Sequence, residues 1–453
     1  MENTQKSDVK PRVGFVPFSY PDYPRELVIE FAKKSEETLR DIGLDVIATD
    51  PIITWNDVES ALKLLRSEDL DSIIAAIISW VEAPNVIAVL KEFLNKPIVL
   101  WSHTMFMKNN ELLTLGPLPG AGVIKESLEE MGIKFRFIWG MPDEKGIKDK
   151  LKLFARVSHA LHRLNKSKIG LLGYASMGMY TGTFDHVLVR QKIGPEIEHL
   201  DQYMIIKEVE NISDEEAKKL IEKVRSKWDI SKEVTEKDLL LAMKMYLALK
   251  NLAKKFGWNA LTVKCQYELS RYYGFAPCVP LSMLADEITC SCEGDVPLII
   301  TQLIMHYLTG LTVTYGDVHL ISNDHILLGA CGFAPFKLSM DKPKISKHTA
   351  LYLGLLNCTA YKKGRVTLAR LSSFKKDSYS GFKMHIAVGE ADIPEPFHEV
   401  GCPPYPSMKV KLDGSTDHFG QNLMSQHYAI VYQDIKNELL ELCDFLGIKP
   451  IVS

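Results

Sequence analysis

Short runs of apolar residues, each followed by a charged stretch with helical spacing, constrain this chain more than any other feature. Val13–Phe18, Ile73–Trp80 and Ile98–Trp101 lack the polar alternation of a strand with one wet face. Strands of that kind are buried on both faces, as in a parallel sheet. Between them, Glu26–Leu39 sets Leu27, Ile29, Phe31 and Leu39 among Lys and Glu, and Val58–Leu65 follows a similar pattern. Strand–helix–strand alternation predicts a doubly wound α/β unit. Gly116–Gly122 (GPLPGAG) reads as a loop before the next helix–strand stretch.

A second α/β unit is expected to begin near Lys166. Lys168–Gly173 (KIGLLG) reads as a strand, and Ser176–Met179 as the turn into a helix. Asp214–Lys227 and Glu236–Phe256 read as helices with acidic starts and basic ends, which suits the helix dipole. Asn259–Lys264 (NALTVK) then returns as a strand. From about Leu308 the character changes. Val313–Ile321, His325–Leu328, Arg365–Arg370 and Lys383–Val388 read as strands without regular helices between them, and Asp434–Leu446 as a closing amphipathic helix. The expected architecture is two doubly wound parallel-sheet α/β domains, 1–165 and 166–307, followed by a β-rich C-terminal domain, 308–453.

Composition narrows the function classes. Lys and Arg number 54 against 57 Asp and Glu, a net charge of −3, without the concentrated positive field that nucleic-acid binding requires. The opening MENTQKSDVKPR is polar and predicts no signal peptide. Val296–Val313 is interrupted by Thr301, Gln302 and His306, too polar for a membrane span. Eight cysteines in a chain of this length read as reduced thiols of a cytoplasmic protein. The Asn-x-Ser/Thr matches at Asn165, Asn211 and Asn357 therefore carry no weight. A soluble enzyme or small-molecule binder is expected.

The densest polar group is Cys290-Ser291-Cys292-Glu293-Gly294-Asp295, followed by Val296-Pro297, which suits the first turn of a buried helix. Glu293 is thus predicted at a strand-to-helix crossing, where α/β proteins bind ligands. Simple capping of that helix by Glu293 or Asp295 is the alternative. Asp317 follows Glu293 by 24 positions; one helix and one return strand fill that interval, so both carboxylates can meet at one end of a layer. His427 stands at the entry of an apolar strand, and His319 and His418 are comparable on spacing alone. Two carboxylates and an imidazole with open positions suit manganese or magnesium better than structural zinc. Cys265, Cys278, Cys290 and Cys292 show no paired C-x2-C spacing, against a zinc ribbon. Ser176–Gly182 matches neither dinucleotide nor Walker phosphate loops, and no G-x-S-x-G elbow is present.

In order along the chain, these segments resemble the L-fucose isomerases and, more distantly, the L-arabinose isomerases. RVGFVPFSYPDYPRELV is similar to the family's opening strand and helix, and IISWVEAPN to its third strand with a pocket tryptophan. IGLLGYASMGMYTG and IGPEIEHLD resemble the start of the second domain. NALTVKCQYEL, CEGDV, YGDVHLI and SQHYAIVYQDIKNELLELCDFLGI follow in the family's order. The resemblance implies Mn2+, or another divalent cation such as Mg2+ or Co2+, held by Glu293, Asp317 and His427, with Glu293 and Asp317 also the proton-transfer groups. It places the pocket tryptophan on Trp80 and a pocket glutamine on Gln266. It further implies a homo-oligomer, hexameric in the fucose type. Two departures matter. The chain is shorter than a typical fucose isomerase, mainly in the third domain. Where arabinose isomerases carry an extra histidine ligand, Leu327–Gly332 offers Cys331 as the nearest equivalent, so the fucose-type site of three ligands fits better.

The expected activity is therefore aldose–ketose isomerisation of an open-chain sugar by proton transfer between C1 and C2 through an enediolate, with a divalent cation as Lewis acid. A related expectation is the same chemistry on an anionic or sulfonated hexose such as sulfoquinovose, which needs a cation facing the far end of the substrate; Arg25 and Arg190 are the candidates. A non-catalytic sugar-binding protein on the same fold is the rival from another class.

Overall fold

The computed structural model describes residues 10–348, 353–376, 379–395 and 405–453. The chain divides into two compact units, one spanning Ser7–Arg163 and the other Leu164–Ser453.

The first unit opens with β1 (Arg12–Phe18), α1 (Arg25–Asp41), β2 (Asp45–Ala48), α2 (Trp55–Arg66), β3 (Ser72–Ile77), α3 (Ala83–Leu90) and β4 (Ile98–Ser102). A hairpin of β5 (Phe106–Lys108) and β6 (Glu111–Leu113), then α4 (Pro117–Glu130), β7 (Arg136–Trp139) and α5 (Lys145–Lys166), complete it. Five strands form one sheet in the order β2-β1-β3-β4-β7, parallel at every pairing. Phe18, Ile73, Ile77 and Leu100 pack against Leu62, Val86 and Ile124 of the covering helices; Phe15, Ile74, Val99 and Trp101, of the opposite alternation phase, are buried as well, so these strands are apolar on both faces.

The stretch Gly116–Gly122 is not the loop its composition suggests. Gly116 is left-handed at φ 66° and α4 starts at Pro117. Proline is tolerated in a first turn because its missing N–H has no intrahelical partner there. Gly120 lets α4 pack closely: a Cβ there would lie 3.1 Å from the backbone of Trp80 and of Val81, tighter than an ordinary contact.

The second unit begins with β8 (Lys168–Leu172), α6 (His186–Lys192), β9 (Glu196–Leu200), α7 (Tyr203–Asn211), α8 (Asp214–Arg225), β10 (Asp229–Ile230) and α9 (Glu236–Phe256). A capping box starts α9: Thr235 Oγ1 accepts from Asp238 N at 3.2 Å and Asp238 Oδ2 from Thr235 N at 2.8 Å. β11 (Ala260–Val263), α10 (Cys278–Leu284), β12 (Thr289–Cys292) and α11 (Val296–Thr309) follow. The second sheet runs β12-β11-β8-β9, again parallel throughout.

The remainder is mostly β: β13 (Thr314–Ile321), β14 (Ile326–Gly329), β15 (Lys344–Lys347), β16 (Leu355–Asn357), β17 (Gly364–Lys376), β18 (Tyr379–Asp392), β19 (Ser407–Leu412), α12 (Thr416–Gln421), β20 (His427–Val431), α13 (Lys436–Leu446) and β21 (Lys449–Val452). β17, β20, β13, β14, β19 and β18 pair in sequence, and β18 returns to β17. This closes an antiparallel, barrel-like ring filled by Leu328, Leu368, Val410, Phe419 and Ile430, and closure leaves no open edge among these strands. The parallel sheets and the β-rich C-terminal region expected from the sequence are thus present, with one short helix, α12, among the later strands.

α11 packs on β11 and β12 of the parallel sheet and on β17 and β20 of the ring. It is buried along nearly its whole length, which accounts for the apolar run Val296–Val313. No described helix is long and apolar enough to cross a membrane.

Candidate metal centre

The crossing from β12 into α11 is built by three residues with separate tasks. Glu293 is in the left-handed region at φ 71° and Gly294 follows at φ 64°. Left-handed backbone costs a non-glycine residue about 1–3 kcal/mol and concentrates at functional positions. Gly294 cannot be replaced without rearrangement, because a Cβ would fall 2.1 Å from the Tyr174 carbonyl oxygen. Asp295 is the N-cap of α11, its Oδ1 accepting from Leu298 N at 3.0 Å. The capping alternative is therefore correct for Asp295, while Glu293 is left for other work.

Asp317 and His427 come from the ring. They are directly opposite partners on the antiparallel pair β13 and β20, which sets their side chains together. His427 Nε2 lies 3.2 Å from Glu293 Oε2 and 3.1 Å from Asp317 Oδ1, yet it makes a hydrogen bond with neither. Its other nitrogen, Nδ1, bonds Asp295 Oδ2 at 2.8 Å. That oxygen also accepts from Arg370 Nη1 at 2.7 Å. His427, Asp295 and Arg370 have no exposed side-chain surface. A fully buried imidazole nitrogen without a hydrogen bond, aimed between two carboxylates, is the arrangement a cation would complete. Three carboxylates face one guanidinium here, a formal excess of two negative charges that one divalent ion balances. Oxygen and imidazole donors suit a hard or borderline ion.

The electrostatics agree. Burial works against charge on His427, but Asp317 and Glu293 raise its pKa well above the ordinary histidine range. Burial raises the Asp295 pKa, yet the Arg370 guanidinium and then His427 outweigh it and hold the carboxyl at about 2.

Thiols crowd the other side of Glu293. Cys265, Cys292 and Glu293 form a second group of converging donors, and Cys331 Sγ donates to Glu293 Oε1 at 3.5 Å. Burial pushes the Cys265 thiol up to about 12. Its hydrogen bond with Cys265 leads the causes that raise Cys292 well above the thiol range. Of these two groups, the oxygen-rich one holds a buried imidazole nitrogen that lacks a hydrogen bond, and its oxygen and imidazole donors suit a hard or borderline ion. Cys331, expected where arabinose isomerases carry a histidine, thus reaches Glu293 as a weak hydrogen-bond donor.

The remaining candidates are distributed as follows. Gln266 lies three residues beyond β11, is 1% exposed, and neither its amide oxygen nor its nitrogen has a partner. His319 is exposed on β13, and His418 Nδ1 bonds Ser453 Oγ at 2.9 Å; neither joins the group. Arg190 Nη1 donates to the carbonyls of Asn165 and Gly194. Those residues precede β8 and β9, so Arg190 sits at the end of the parallel sheet opposite Glu293 and does not face the group. Trp80 and Arg25 belong to the first unit. Trp80 follows β3, partly exposed, its ring meeting that of Tyr20 edge to face with centroids 5.2 Å apart; Arg25 is the exposed first residue of α1.

Arg370 was not among the sequence candidates. One signal pointed to it: Val366 and Leu368 fill the ring interior, and Arg370 continues their period-two phase, a charge on a buried face.

No family profile matches the chain. Curated relatives align over nearly its whole length. Sulfoquinovose isomerases of Priestia aryabhattai and Priestia megaterium are each 23% identical over 452 residues, covering 97% of this chain and 98% of theirs. Sulfoquinovose isomerase of Clostridium sp. strain MSTE9 is 22% identical over 451 residues, with 97% and 99% covered. Among solved structures, a periplasmic solute-binding protein of an ABC transporter from Actinobacillus succinogenes 130z, with bound D-allose, aligns at 11% identity and a TM-score of 0.18 over 66% of this chain and 91% of that one. So low a score carries no argument. The full-length relatives make the chain an enzyme, an isomerase.

Proposed function

We propose that this chain is a divalent-metal-dependent aldose–ketose isomerase of the L-fucose isomerase type, acting on an anionic, sulfonated hexose. The single observation that carries the chemistry is the unbonded Nε2 of His427, 3.1–3.2 Å from both Asp317 and Glu293. The relatives' name, sulfoquinovose isomerase, supports the sulfonated substrate.

A divalent ion such as Mn2+, Mg2+ or Co2+, held by Glu293, Asp317 and His427, supplies Lewis-acid polarisation of the sugar carbonyl. The protein supplies the proton traffic. Isomerisation moves a proton from C2 to C1 and another from O2 to O1, so no atom is gained or lost. Two carboxylates that enter from different elements flank one point and divide these transfers between them. Cys331, donating to Glu293 Oε1, orients one of the two. Gln266 offers an amide with no protein partner, suited to sugar hydroxyls. By the family resemblance Trp80 is a pocket tryptophan, and Arg25 is a candidate cation for the sulfonate. A cytoplasmic homo-oligomer, hexameric as in the fucose type, completes the reading.

The test is incubation with Mn2+ in deuterated water with sulfoquinovose, L-fucose or L-arabinose, followed by NMR. The expected result is conversion of sulfoquinovose to its ketose, with solvent deuterium entering at C1. Preference for a neutral aldose would overturn the sulfonated substrate and keep the chemistry. Metal-independent sugar binding without turnover would overturn both and favour a binding protein.

A further inference from the structure

One part of this centre does more than the chemistry above requires. A helix cap needs only one carboxylate oxygen, and Asp295 Oδ1 already serves Leu298 N. Its second oxygen is shared by His427 Nδ1 at 2.8 Å and Arg370 Nη1 at 2.7 Å. Arg370 reaches back with Nη2 to the Thr181 carbonyl at 2.7 Å. Thr181 lies in the segment whose Ser176 N–H donates to the Glu293 carbonyl at 2.9 Å. One side chain therefore braces the supports of two of the three ligands. A fully buried guanidinium is costly unless its position is used, and ion pairs of this kind often add little stability over apolar replacements.

The donor and acceptor roles are forced. Arginine only donates, so Asp295 Oδ2 accepts from it, and the same oxygen can only accept from His427. In its ligating form the ring then carries its hydrogen on Nδ1, which leaves the Nε2 lone pair directed between Glu293 and Asp317. We propose that Asp295 and Arg370 are positioning residues of the metal centre: Arg370 anchors the Asp295 carboxylate, and that carboxylate fixes the tautomer and orientation of His427. The inference rests on the three-ligand reading. Partners behind a metal-bound histidine typically change metal affinity about 10–100-fold when removed.

Asp295→Asn is the decisive variant. Its amide oxygen can still cap α11, but its NH2 would face Nδ1 and drive the ring hydrogen to Nε2. The expected result is Mn2+ affinity, by calorimetry or electron paramagnetic resonance, weakened about 10–100-fold, and a 15N NMR signature of a protonated Nε2. Because a single change leaves Arg370 buried without its acid, the double variant D295N/R370M provides the control for folding. An ion pair with a merely structural role predicts that this neutral pair regains wild-type Mn2+ affinity; a positioning role predicts that affinity stays weak while circular dichroism and melting return toward wild type. Arg370→Lys, which keeps the charge but cannot span Asp295 and Thr181 together, should fall between. Mn2+ affinity within about twofold of wild type in both Asn variants, with an unchanged tautomer, would overturn the inference alone. Wild-type protein that binds no Mn2+, or a His427→Ala variant that binds it equally well, would overturn the three-ligand reading and this inference with it.

Discussion

Two clusters among the described residues set imidazoles beside more than one carboxylate, one in each unit, and the second is the one built to take an ion. At the N-terminal edge of the first parallel sheet, His159 Nδ1 bonds Asp71 Oδ2 at 2.9 Å and His162 Nε2 lies 3.2 Å from Asp69. Asp71 Oδ2 also accepts from Arg12 N at 2.7 Å. Each imidazole has its own acid, and these residues line an open cleft of about 680 Å3. In the second group one buried imidazole serves three acids, and its Nε2 is bonded to none of them. What separates them is the balance of donors and acceptors, not the size of the opening. The placement differs too: the first group sits where parallel strands begin, and the second follows the C-terminal end of β12, the customary side for ligands.

The largest expected effect comes from the second group. Glu293→Gln keeps size and backbone but removes a charge, and turnover should fall about 10^2–10^4-fold with an unchanged circular dichroism spectrum. Near-native turnover would erase the distinction between the groups. Asp71→Ala is the matching change in the first group. It strands the Arg12 N–H and His159, so it should cost the first unit about 1–3 kcal/mol, read as a lower melting temperature, with Mn2+ affinity unchanged. A loss of metal binding there would assign ion chemistry to the wrong group.

The sequence made some of this legible and hid the rest for physical reasons. Glu236–Phe256 emerges with the bounds read from the sequence, because its acidic start and basic end are local signals. The meeting of Glu293 with Asp317 could be anticipated because one helix and one strand span the interval between them. The Gly116–Gly122 stretch misled because glycine and proline serve helix starts as well as loops. Arg370 stayed hidden because its partner lies 75 residues away and the ring's closure, not local pattern, joins them. Arg190 looked free to meet an anion, yet backbone carbonyls at the wrong end of the sheet occupy it.

A third prediction uses pH to separate the units. His103, buried in the first unit and bonded to Ser35 at 2.8 Å, has its pKa lowered to about 3, by burial first and then by Lys34. Its folded value lies below the unfolded one, so the unfolded chain takes the proton first. Its contribution is complete above about pH 6.5 and is lost as pH falls toward 3, by up to about 1.4 kcal/mol per pH unit. His103→Gln should flatten that part of the first unit's acid profile; an unchanged slope would exclude His103 as its source.

The smallest effect compares two helix caps of the second unit. Thr235→Ala removes a cap with no further partner at a metal centre and should cost about 1 kcal/mol, without altering Mn2+ affinity. Asp295→Asn keeps its cap and is expected to change the affinity. Equal metal affinities in the two variants would reduce Asp295 to an ordinary cap.

The most direct measurement is anomalous diffraction at the manganese absorption edge from crystals grown with Mn2+. The account predicts one strong peak per chain bounded by Glu293, Asp317 and His427 Nε2, and none among Asp69, Asp71, His159 and His162. A peak at that first-unit group, or crystals saturated with Mn2+ that show no peak at His427, would contradict it.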